Sequence, residues 1–156
     1  MYPINLPPPS ENDWRSEVWC LDAQAAYRNF SGKSLQEAQS LFKKNAIRYQ
    51  ECLMFMPSIC FLFYIVAYLD YLDSEDSAGD SDAANCFLGL VECRLAELAQ
   101  VETLCQRVCQ TLTAIGDRQA WYDAEEAFYG SFAEKASILI QQMNALSPEN
   151  AKRRPT

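Results

Sequence analysis

The eleven residues from Ile59 to Leu69 are all apolar. A helix built on them has no side to give to water, so it must be covered all round by protein or by lipid. Lipid is the poorer cover, because a membrane span takes about 18–20 such residues. Reaching eighteen means extending back to Cys52 across Pro57 and Ser58. Proline breaks a helix interior and suits a helix start, so Pro57 predicts the beginning of this helix rather than its middle. Tyr64, Tyr68 and Tyr71 also carry hydroxyls that want partners. The reading is a buried central helix, and the rest of the chain must supply its cover.

The remaining sequence offers helices for that purpose, since apolar residues recur at three- and four-residue steps and no strand alternation is sustained. Ser10 with Asp13 in the first turn opens a first helix carrying Trp14, Val18, Leu21 and Ala25, which Ser31-Gly32 stops after Phe30. Ser34 and Glu37 form a capping box for a second helix with Leu35, Ala38, Leu41 or Phe42, Ala46, Tyr49 and Leu53 inward. After the central helix comes an acidic loop, 73–82, ending at an N-cap, Asp80 or Ser81. A long fourth helix is expected over 82–115, bent near Gln100 where the apolar spacing slips. Gly116 then caps, and Asp117 opens a fifth helix bearing Trp121, Ala124, Phe128, Phe132, Leu139, Met143 and Leu146. The expectation is an all-α, single-domain helical bundle of about five helices with short loops. It spans 1–148, with 1–9 a proline-rich arm and 149–156 a flexible basic tail.

Charge narrows the choice of partner. Three of the 13 bases, Lys152, Arg153 and Arg154, lie in the tail, so residues 1–148 hold 10 bases against 20 acids. Such a surface repels phosphate backbones and anionic membranes, and it draws in a basic partner. Nucleic acid and membrane are therefore set aside. The seven cysteines (Cys20, Cys52, Cys60, Cys86, Cys93, Cys105 and Cys109) are odd in number and contain no Cys-x-x-Cys. They follow a start without charged or apolar signal regions. They read as buried thiols in a reducing cytoplasm.

The chain contains no histidine, which removes serine triads, Cys–His nucleophiles and di-iron Glu-x-x-His motifs. Cys105 and Cys109 share a helical face but lack two further zinc ligands. A calcium loop with Gly79 sixth puts Ser74 first, Ala78 fifth and Asn85 twelfth, with the wrong ligands. Gly32-Lys33-Ser34 lacks the upstream glycine and strand of a phosphate loop. Glu92 with Glu125 or Glu126 is the remaining pair for two-carboxylate chemistry, weighed against plain solvated acid. No metal and no cofactor are expected.

The stretch 53–69, with Phe61, Phe63, Tyr64, Ala67 and Tyr68, resembles a recurring segment in a family of small, uncharacterised bacterial helical proteins. Ile59, Leu62 and Val66 stand where that segment has a glutamate, an arginine and a second proline. The resemblance implies a bacterial, helical, cytoplasmic protein and carries no activity with it.

Acidity without a catalytic constellation favours a non-enzymatic protein-binding domain, such as an immunity-type inhibitor that neutralises a basic toxin or nuclease. Its contact residues would be Asp73, Glu75, Asp76, Asp80 and Asp82 in the loop, with Asp123, Glu125 and Glu126 beyond. The competing reading is a self-associating structural or adaptor protein, a homodimer seamed by Trp14, Trp19, Trp121 and the long fourth helix.

Overall fold

The computed structural model describes residues 4–16 and 19–148. Residues 1–3 of the expected arm, Val18 of the expected first helix, and the basic tail 149–156 lie outside the described residues. Seven α-helices run through the described residues, without a strand. The all-α expectation holds, but the count of about five does not, because two of the expected helices are divided. The chain separates into two compact units, one spanning Asn5–Ser77 and the other made of the residues from Ala78 onward together with Ile4. The boundary falls inside the acidic loop.

The first unit holds α1 (Leu21–Phe30), α2 (Leu35–Met54) and α3 (Ser58–Asp73). The expected start at Ser10 is a single 3-10 turn, Glu11–Trp14, in which Asp13 accepts from both the Ser10 amide and hydroxyl at 2.7 Å. Burial of the Trp14 indole against Tyr27 and Tyr64 draws the chain off the helical path there. α1 starts at Leu21, which is 77% exposed and not on the buried face. Ser31-Gly32 does stop α1, with Gly32 at φ 72°. The Ser34–Glu37 capping box is formed, at 3.2 and 2.8 Å.

α2 buries Ala38, Phe42, Ala46, Tyr49, Cys52 and Leu53, while Leu35 and Leu41 are half-buried. It kinks at Asn45, whose Oδ1 accepts from the Arg48 amide at 3.1 Å, so an N-cap is reused inside a helix. α3 begins after Pro57 and buries eleven of its residues, Tyr64, Tyr68 and Tyr71 among them. Its cover is α2, with Phe42 stacked on Tyr68 at 4.7 Å. Tyr64 donates to the carbonyls of Phe30 (2.6 Å) and Lys33 (2.8 Å).

In the second unit Asp80 caps α4 (Ser81–Gln100) by accepting from the Ala83 amide at 3.0 Å. The bend expected near Gln100 is a full break at Val101, after which α5 (Glu102–Asp117) starts on a new axis. The slip in apolar spacing reports this, since one straight helix cannot hold both registers against the same core. Gly116 does not cap. It lies inside α5, where a Cβ would stand 3.0 Å from Ala133 Cα, so its bareness lets the backbone approach. The expected fifth helix is a 3-10 turn Gln119–Tyr122, a short α6 (Glu126–Tyr129) and α7 (Phe132–Leu146), which packs on α4 and α5. Asp123 at φ 58° and Gly130 at φ 73° break it. Of its expected core, Ala124, Phe132, Leu139 and Met143 are buried. Phe128, on the short α6 that buries none of its residues, is 84% exposed, and Leu146, the last residue of α7, is 47% exposed.

Candidate partner-binding site

Residues 119–130 form the most chemically distinctive surface of the second unit, and one side chain organises them. Gln119 donates through Nε2 to the carbonyls of Ala124 (3.0 Å) and Gly130 (2.8 Å), and its Oε1 accepts from the Phe132 amide (2.8 Å). Three main-chain groups that a non-helical turn would leave without partners are thereby satisfied. The turn is tied down further at its other edge. The Tyr129 hydroxyl bonds Asp82 (3.1 Å) and Ser81 (3.0 Å), and Lys135 Nζ donates to the Tyr129 carbonyl. Sequence reasoning passed over both Gln119 and Tyr129. The signal available was Gly130, which with Asp123 brackets only six residues, too short a span for a stable helix.

Around this frame the expected contact acids sort themselves. Asp123, Glu125 and Glu126 line one pocket of about 390 Å³ together with Gln119, Ala120 and Ala124. No ion pair with a described residue engages these three acids. Asp80 and Asp82 belong to the same unit but are spent locally, as a helix cap and as the partner of Tyr129. Asp73, Glu75 and Asp76 belong to the first unit. Asp73 closes α3, Glu75 and Asp76 form a 3-10 turn, and Asp76 pairs with Lys43 at 2.8 Å. Phe128 stands on the same short helix as Glu126.

The alternatives raised by the sequence find different geometry. Glu92 lines a groove of about 370 Å³ with Leu88, Lys135, Ile138 and Leu139, not the pocket of Glu125 and Glu126. Cys105 and Cys109 share a thiol hydrogen bond, which pushes the Cys109 thiol up and holds Cys105 down. Among the described residues no cluster of three or more Cys, Asp or Glu side chains is arranged to hold a metal. The burial that lifts Cys60 to about 12 also raises Cys52, keeping both as thiols. The tryptophans expected at a dimer seam are unlike one another: Trp14 is 2% exposed and Trp19 48%, while Trp121 is half-buried beneath Arg118. The fourth helix that was to join them ends at Gln100. No helix among the described residues is long and apolar enough to cross a membrane. No protein-family model, curated protein or solved structure matches this chain.

Proposed function

We propose that the chain is a non-enzymatic binding module whose turn 123–128 receives a basic protein. The observation that carries this reading is Phe128, 84% exposed on a turn that Gln119 and Tyr129 hold in place. Exposing a phenylalanine that the fold has not used costs hydration free energy of roughly 2 kcal/mol, and a rigid aromatic beside uncommitted acids is how interfaces concentrate affinity. A lysine or arginine entering the pocket of Asp123, Glu125 and Glu126 meets three carboxylates, while Phe128 packs on the apolar stem or its neighbour. Long-range attraction between this acidic chain and a basic partner adds on-rate. Inhibition of a basic toxin or nuclease, in a bacterial cytoplasm, is one role that such a module fills.

Immobilised wild-type protein, Glu125→Lys/Glu126→Lys and Phe128→Ala test it against lysate of the native cells. A basic protein retained by wild type, released by salt and lost by both variants is the expected result. Equal retention by all three removes the turn from consideration. A self-associating role instead draws on Ile138, 55% exposed in the α4–α7 groove, and it predicts a dimer in sedimentation equilibrium that Ile138→Lys abolishes.

A further inference from the structure

A second site lies in the first unit, a pocket of about 550 Å³ beside the 3-10 turn and α1. Its lining is Glu11, Trp14, Arg15, Ser16, Trp19 and Tyr27. Three of those six residues are aromatic, and their rings are not parallel. Tyr27 meets Trp14 at 5.7 Å and 82°, and Trp19 at 5.8 Å and 64°, so the rings stand as walls of a box and not as a stack. Edge-to-face contact leaves part of the Trp19 and Tyr27 rings uncovered, while Trp14 backs them from the core.

The box is held rigidly. Trp14 is 2% exposed and also packs against Tyr64 at 5.9 Å. The turn beneath it is fixed by the Ser10–Asp13 bonds and by Cys60 Sγ at 3.4 Å from the Asp13 carbonyl. Gln24 Nε2 donates to the Trp19 carbonyl at 3.3 Å. Tyr27 donates its hydroxyl to Glu11 Oε1, which keeps the carboxylate on the pocket wall and raises the tyrosine's own pKa.

Trp19 is the informative member. It is 48% exposed, although folding alone would be served by burying it or replacing it with a polar residue. The half-exposed Trp19 ring, the Tyr27 ring and one carboxylate around a single concavity form an electron-rich lining, with Trp14 buried behind them. A primary ammonium keeps most of its hydration in such a box, whereas a methylated ammonium is large, weakly hydrated and apolar at its rim. We propose that this pocket binds a methylated ammonium group, either the headgroup of a choline-like small molecule or the side chain of a methylated lysine. The rings supply cation–π attraction and Glu11 supplies the counter-charge. Arg15, exposed on the wall, opposes the ligand's charge and limits its affinity.

The test titrates the full chain, followed by tryptophan fluorescence and calorimetry, with choline and with its neutral carbon isostere 3,3-dimethylbutan-1-ol. Choline is expected to saturate in the millimolar range and the isostere to bind about tenfold more weakly, the factor expected where ring electrostatics and not apolar surface decide. Trp19→Leu, at a half-exposed position, is expected to lose about tenfold for choline with its circular dichroism unchanged. A trimethyllysine peptide that binds more tightly than choline identifies a protein side chain as the ligand, and equal affinity identifies the small headgroup. Equal binding of choline and isostere, an unaffected Trp19→Leu, or no saturation by 100 mM choline overturns the proposal.

Discussion

Tyr64→Phe is the most direct probe of how the central helix is held. The substitution keeps the ring and its contacts with Phe30, Phe63 and Trp14, and removes a hydroxyl that donates to two carbonyls in the α1–α2 turn at 2.6 and 2.8 Å. Phe30 keeps a second partner, the Lys33 amide at 3.0 Å, so only the Lys33 carbonyl loses its hydroxyl without another main-chain donor in that turn. One net hydrogen bond is worth about 0.5–1.5 kcal/mol, and a buried acceptor left unmade costs about 1–3. Part of the Lys33 carbonyl's loss returns as hydration, because that bond is only partly buried. The expected destabilisation is therefore about 1–2 kcal/mol. With a urea slope of about 2 kcal/mol/M, the midpoint falls by about 0.5–1 M, read by circular dichroism and tryptophan fluorescence. A shift under about 0.2 M refutes the claim that this hydroxyl fastens α3 to the turn. The same curves test the expectation of one domain over 1–148. A single domain moves as one transition, whereas independent units leave a second transition unmoved.

Alkaline pH is expected to weaken the fold. Burial raises Tyr64 from 10 to about 12 and Cys60 from 9 to about 12, so both stay protonated when folded and ionise earlier when unfolded. Their contribution is intact below pH 9 and is lost as pH climbs towards 12, and Tyr64→Phe flattens that decline in pH-dependent urea melts. Asp80→Ala removes the α4 cap and is expected to cost about 1 kcal/mol, while Asp76→Ala, which breaks an exposed pair with Lys43, costs at most about 0.5; paired thermal melts separate the two. Gly116→Val forces a branched side chain into the 3.0 Å approach of α5 to Ala133 and is expected to lower stability by about 2 kcal/mol. An unchanged melting temperature would show that α7 can back away at no cost.

What the sequence made legible follows from how local each signal is. The Ser34 box, the Asp80 cap, the Gly32 stop and the Pro57 start depend on groups within four residues, and each stands where the pattern put it. Ile59–Leu69 was readable for a different reason, because a run with no polar face permits only burial. The failures share a cause as well. Trp14, Leu21 and Phe128 sit at helical spacing from their neighbours, yet spacing does not say whether the backbone between them is helical. Trp14 is held by Tyr64 fifty positions away, and Phe128 is turned outward by bonds from Gln119, Ser81 and Asp82. The acids followed the same rule. As a charge run, 73–82 looked like one surface, but capping, the Lys43 pair and Tyr129 occupy Asp80, Asp76 and Asp82 in turn. A count of carboxylates cannot distinguish an acid that holds the fold from one free to meet a partner. That distinction depends on tertiary partners, and here it singles out Asp123, Glu125 and Glu126, the acids that share a pocket and form no ion pair among the described residues. The residues most exposed against their chemistry, Phe128 and Trp19, emerge by the same comparison of what the fold uses with what it leaves.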